Sequence, residues 1–207
     1  MASIAEAQLA IDAGADAVGL VSAMPSGPGP IDESVIAEIA AWAPPPIATF
    51  LLTSLLDPHA IAAQQRRLRT SAIQLVDALP SGAHSVLRAE LPGTKLVQVI
   101  HVTGPDSVDE ARAAGPLVDA LLLDSGRPRL AIKELGGTGR THDWSVSRRI
   151  RDEVGIPVFL AGGLHAANVA QAIADVAPFG VDVCSGVRTD GRLDAAKLRA
   201  FMREVRS

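Results

Sequence analysis

Asp119-Ala-Leu-Leu-Leu-Asp-Ser-Gly126 opens a series that continues with Gly136-Gly137-Thr138-Gly139, Phe159-Leu-Ala-Gly-Gly-Leu164 and Asp182-Val-Cys-Ser-Gly-Val187. The apolar runs are short, rich in Leu or Val, and break off in residues that suit a loop. That is how a strand buried on both faces of an all-parallel sheet reads. Function is therefore expected where the runs end.

Outward from this stretch, helix patterns alternate with such runs along the whole chain. Ile4 to Ala13 has helical spacing, with Ser3 as N-cap, Glu6 three residues on in a capping-box pattern, and Gly14 as the stop. The strand Ala17 to Val21 follows, then the helix Asp32 to Ala43, stopped by Pro44-Pro45-Pro46, and the strand Ile47 to Leu52. Asp57 to Leu68 reads as a helix with Pro58 at its first position, Ala72 to Val76 as a strand, Gly82 to Leu91 as a helix and Lys95 to Val102 as a strand. Ser107 to Ala114, Trp144 to Val154, Ala166 to Val176 and Asp194 to Arg206 complete the helices. Ala120 to Leu123, Val158 to Ala161 and Val181 to Cys184 complete the strands. Seven strands, each followed by a helix and preceded by one extra helix, predict an α/β barrel of the TIM (β/α)₈ type with its first strand missing. No Gly-x-Gly-x-x-Gly follows an early strand, which disfavours a doubly wound open sheet.

With 207 residues, one domain over 1–207 is expected. A 48% hydrophobic content with 3% aromatics implies a core of Ala, Val, Leu and Ile. The net charge of -4 supplies no basic field for nucleic acid, and the pairs Arg66-Arg67 and Arg148-Arg149 fall in helical stretches that read as solvated faces. No apolar run reaches a membrane-spanning length and no signal peptide opens the chain, so a cytoplasmic protein without a membrane partner is expected. One cysteine, Cys184, excludes an internal disulfide, and no His or carboxylate spacing suggests a metal site.

In a barrel of this kind chemistry sits at the C-terminal strand ends. Gly162-Gly163 and Ser185-Gly186 close the last two strands, where glycine lets backbone N–H groups approach an anion; the plainer reading is turn chemistry. Asp124 either caps the next turn or stands as a carboxylate beside apolar side chains, where desolvation raises its pKa for acid work. Gly136, Gly137 and Gly139 read as part of a lid able to supply N–H donors, or as a surface loop.

Leu121 to Ser125, Gly136 to Trp144, Leu160 to Leu164 with Asn168-Val169, and Val181 to Val187, in this order and spacing, resemble the phosphoribosylanthranilate isomerases of tryptophan biosynthesis. Ala13 to Gly19 and Gln74-Leu75 are weaker echoes. The resemblance implies an eight-stranded barrel that performs an Amadori rearrangement of N-(5-phosphoribosyl)anthranilate with no cofactor and no metal. It implies Asp124 as general acid, and Gly136, Gly137, Gly139, Gly162, Gly163, Asp182, Ser185 and Gly186 as substrate- and phosphate-binding positions for a phosphorylated sugar.

The departures from the family pattern are specific. The family's general base is a cysteine ending the first strand, and this chain is read as beginning after it. Where the family has Ser-x-Arg, for the anthranilate carboxylate, stands Ser22 to Pro30 without Arg; Val76-Asp77 replace His-Gly, and Arg188 replaces a Glu. Neither Cys184, expected as a buried inert thiol, nor His142 or His101 offers a convincing substitute for the base. Two readings stay open: an isomerase, or a divergent homologue that converts or only binds another phosphorylated sugar. The unpaired edges of Ala17–Val21 and Val181–Cys184 point to a homodimer or a collapsed barrel.

Overall fold

The computed structural model describes residues 1–25, 29–126 and 141–207. They fall into two compact units. The first holds α1 (Ile4–Asp12), β1 (Ala17–Val21), α2 (Glu33–Trp42), β2 (Ala48–Thr53), α3 (Pro58–Leu68), β3 (Ala72–Leu75), α4 (Ala83–Glu90) and the start of β4 (Lys95–His101), as far as Gln98. β1 pairs with β2, β2 with β3 and β3 with β4, all parallel. Its helices begin where the sequence predicts, for local reasons. The Ser3 hydroxyl accepts the Glu6 N–H at 3.2 Å, and the Asp57 carboxylate accepts the N–H groups of His59 and Ala60 at 3.2 and 3.3 Å. Glu6 reaches back to the Ala2 N–H at 2.9 Å, one residue before the position a capping box calls for.

On the outer edge of β1 the carbonyl of Gly19 accepts the Met1 amine at 2.6 Å, and that of Val21 accepts the Ile31 N–H at 2.9 Å. Two of the groups expected to be open for pairing are therefore satisfied within the chain. Leu20, Ile36, Ile39, Leu51, Ile61 and Ile73 are fully buried between sheet and helices. Each such side chain contributes roughly 1.5–3 kcal/mol. Arg66 pairs with Glu90 and Arg67 with Glu33 across exposed helix faces, in agreement with a solvated role.

The second unit runs from Val99, the fifth residue of β4, through α5 (Ser107–Ala114), β5 (Ala120–Asp124), α6 (Trp144–Glu153), β6 (Val158–Leu160), α7 (Val169–Val176) and β7 (Gly180–Val181), then a hairpin of β8 (Arg188–Thr189) and β9 (Arg192–Leu193), and α8 (Ala195–Val205). β5 pairs with β6 and β6 with β7, parallel throughout. Leu121, Leu123, Ile150, Leu160, Val169 and Val176 form its interior.

Three expectations are corrected here. The last strand of the sheet is two residues long and stops at Val181, because the chain turns into a single 3₁₀ turn at Ser185–Val187. The helix expected from Ala166 begins at Val169, because the Asn168 side chain is committed to the preceding loop: it accepts the His165 N–H at 2.8 Å and donates to the Gly163 carbonyl at 3.0 Å. The β8–β9 hairpin carried no strand pattern in the sequence. Two residues a side are too few for alternation to register.

Candidate functional site at the strand ends

The site is built by register. In the second unit Leu123 lies opposite Leu160, and Leu160 opposite Val181. One residue further on, Asp124, Ala161 and Asp182 therefore stand in one row and, in a parallel sheet, on one face. The ladder extends to β4: in these pairs the residue after each register partner donates across, as Ala161 donates to Leu123, and Val102 donates to Asp124 at 2.8 Å. That offset puts His101 beside Asp124. His101, Asp124, Ala161 and Asp182 thus form a row of three titratable side chains interrupted by one methyl group.

Environment divides the two acids. Asp124 is 7% exposed, and burial raises its carboxyl above the usual carboxylate range, against the opposing pull of the Ser125 N–H and of His101. Asp182 is reached by water, yet it is otherwise surrounded by protein, and burial together with the neighbouring Asp124 charge pushes it up to about 6. Cys184 is exposed, not buried as expected; crowding by protein and the Asp182 charge push its thiol up, so it is a neutral thiol and not a thiolate. His142 sits at the foot of α6 with its Nε2 2.7 Å from the Ser147 hydroxyl, and burial lowers it to about 4, leaving the ring neutral.

Above this row lie the two glycine loops. Gly162 adopts φ +84, and a Cβ there would come within 2.9 Å of the Ser125 nitrogen and 3.1 Å of an Asp124 carboxylate oxygen, so only glycine lets the β6 loop pass this close to the acid. Gly186 has no room for another reason: its Cβ would fall 1.9 Å from the Leu164 carbonyl oxygen, which means that the loops after β6 and β7 lie backbone against backbone. Among the described residues the amides of Gly163, Leu164, Ser185 and Gly186 donate to no protein acceptor. Asp182 stands in the row with Asp124 and Ala161. Gly136, Gly137 and Gly139 lie outside the described residues.

Parallel strands that alternate with helices, with paired acids and glycine loops at the C-terminal strand ends, define an α/β protein of the (β/α)₈-barrel class. The comparisons give the family. The family model described as N-(5'phosphoribosyl)anthranilate (PRA) isomerase matches residues 2–204. The protein named N-(5'-phosphoribosyl)anthranilate isomerase from Methanocella arvoryzae is 36% identical over 194 residues, 93% of this chain and 89% of its own. The crystal structure of phosphoribosyl anthranilate isomerase from Thermotoga maritima superposes with a TM-score of 0.84 at 26% identity, covering 100% of this chain and 95% of its own. A phosphoribosyl anthranilate isomerase solved with reduced 1-(o-carboxyphenylamino)-1-deoxyribulose 5-phosphate gives a TM-score of 0.81 at 25% identity, with the same coverage. The chain belongs to the N-(5'-phosphoribosyl)anthranilate isomerase family and has its TIM-barrel-type fold. Among the described residues no helix is long and apolar enough to cross a membrane.

Proposed function

We propose that this protein isomerises N-(5'-phosphoribosyl)anthranilate to 1-(o-carboxyphenylamino)-1-deoxyribulose 5-phosphate, a step of tryptophan biosynthesis. The observation that carries the assignment is Asp124, a carboxyl raised by burial at a strand end, against which the β6 loop packs closely because Gly162 has no side chain. A carboxylic acid at this place can give its proton to the ribose ring oxygen as the C1–O bond breaks and the nitrogen lone pair forms the Schiff base, and burial favours the protonated form. The unengaged amides of Gly163, Leu164, Ser185 and Gly186 suit the 5'-phosphate: they belong to two loops that touch at Gly186 and Leu164, and an anion there can accept N–H groups that no protein acceptor takes. That the matched relatives carry this one name favours this substrate over another phosphorylated sugar.

The cytoplasm is its place on this reading, supported by the single cysteine. A homodimer through the outer edge of β1 is supported by that strand having a ladder partner on one side only among the described residues; a monomer mass in light scattering would remove it. The activity is tested by following loss of the substrate's anthranilate fluorescence. Asp124→Asn should lower kcat by about 10²–10⁴-fold while ribose 5-phosphate still binds. An Asp124→Asn enzyme with unchanged kcat would overturn the role given to this acid.

A further inference from the structure

We infer that His101 is a positioning residue for this acid: it stands beside Asp124 so that the carboxylate left when Asp124 gives up its proton forms against an imidazole instead of against apolar side chains. The inference rests on the isomerase reading above and adds a residue to it.

The placement is fixed by the backbone. The Val102 N–H donates to the Asp124 carbonyl at 2.8 Å, the offset that makes His101 the register partner of Asp124 across β4 and β5. Partners in a parallel pair turn their side chains to one face, from Cα atoms about 4.8 Å apart. The end of β4 is held where the chain turns. There the Ser107 hydroxyl, on a side chain 3% exposed, donates to the His101 carbonyl at 3.4 Å and accepts the Thr103 N–H at 3.1 Å. His101 is therefore in place beside the acid before any ligand arrives.

Its burial sets it apart from its neighbours in β4. Val99 and Ile100 bury aliphatic side chains, whereas His101 brings a polar ring to a place 6% exposed, at a desolvation cost that an aliphatic residue would not carry. The ring acts electrostatically. It pulls the Asp124 carboxyl toward the ionised form, together with the Ser125 N–H and against the burial that opposes ionisation. Nearby charged groups do not share this part. Asp182 is an acid and opposes a second negative charge, Asp109, Glu110 and Arg112 of α5 are exposed, and the neutral His142 is committed to Ser147.

The consequence falls on ring opening. Asp124 gives its proton to the ring oxygen, the C1–O pair moves to that oxygen, and the nitrogen lone pair becomes part of C1=N. The O–H pair stays on Asp124 as a carboxylate. That charge appears where little water reaches, and an imidazole already in position stabilises it as it forms, which lowers the barrier to proton transfer.

Two variants test this: His101→Leu, which removes the polar ring, and His101→Gln, which keeps an N–H donor. The Asp124 carboxyl carbon is followed by NMR against pH in protein labelled with carbon-13 aspartate, its signal identified by its loss in Asp124→Asn. In His101→Leu the Asp124 midpoint is expected to rise by about one pH unit or more, since the pull toward ionisation is gone. On N-(5'-phosphoribosyl)anthranilate, kcat should fall by about 10–100-fold with KM within about threefold, and His101→Gln should recover part of the loss. A role in packing alone would lower the melting temperature and leave the Asp124 midpoint where it was. A midpoint in His101→Leu within about 0.3 pH unit of wild type, or a kcat within about twofold, overturns the assignment and leaves the isomerase reading standing. A wild-type protein that does not consume the substrate overturns that reading, and this assignment with it. If His101→Leu does not fold, His101→Gln decides alone: an unchanged Asp124 midpoint overturns the proposal.

Discussion

Three glycines separate the two reasons a backbone refuses a side chain, and alanine substitutions at them give graded outcomes. Gly82 has φ +82 with nothing within 4 Å of the place an alanine methyl would take, so Gly82→Ala meets only the left-handed dihedral, about 1 kcal/mol. Gly162 has nearly the same dihedral, φ +84, but its methyl would meet the Ser125 nitrogen at 2.9 Å, the Ser125 hydroxyl at 3.0 Å and Asp124 at 3.1 Å. Gly162→Ala therefore carries the dihedral term plus an overpacking term, about 2–3 kcal/mol together. Gly186 has no left-handed dihedral, yet its methyl would lie 1.9 Å from a backbone carbonyl oxygen, against 3.4–4 Å for ordinary contact. No rotamer relieves a clash with backbone, so one loop must move, at about 3 kcal/mol or more. At roughly 2–4 °C per kcal/mol for a chain of this size, the melting points should fall by about 3, 7 and 10 °C in that order. Calorimetry gives the melting points, and titration with ribose 5-phosphate gives the functional half. Affinity should be unchanged in Gly82→Ala and severalfold weaker in the other two. If Gly186→Ala melts within about 2 °C of Gly82→Ala and binds as wild type, the contact between the two loops is not what holds the amides together.

Asn168→Ala removes a bond to the His165 N–H and another to the Gly163 carbonyl, and should cost about 1–2 kcal/mol and raise KM for the phosphorylated substrate without a matching fall in kcat. A steady-state comparison checks this. The pH dependence of stability has a traceable contribution from His142, whose folded pKa of about 4 lies below its ordinary 6.5. The unfolded chain binds that proton more readily, so stability present above pH 6.5 is lost as pH falls toward 4, amounting to about 2 kcal/mol by pH 5. Asp182, with its raised carboxyl, acts in the opposite sense as pH falls from 6 to 3.8, so denaturant titrations of wild type and His142→Gln should be subtracted from each other. The difference should vanish at pH 7.5 and grow below 6; a flat difference would count against a neutral, enclosed His142.

The elements were legible because their causes are local. Buried parallel strands are nearly continuous apolar runs, and helices announce themselves through periodicity and through caps such as Ser3, Asp57 and Asp194, each of which accepts N–H groups from its first turn. Asp124 could be singled out for the same reason: a charged residue directly after Leu121, Leu122 and Leu123 marks a strand end. The short β7 and the late start of α7 escaped because each depends on a side chain or a loop being used elsewhere, and the small hairpin because two residues a side carry no pattern.

The sequence by itself determined a parallel α/β chain, the order of its strands and helices, the family, and the glycine loops that follow the late strands. Only the tertiary structure decided that Asp182 stands in one row with Asp124, that Ala161 lies between the two, that Cys184 is exposed, and that Gly186 lies against Leu164. The physical reason is register. A one-residue slip between β6 and β7 would send Asp182 to the other face without changing any local pattern, and register is fixed by how whole strands and helices pack, not by any residue's neighbours in the chain.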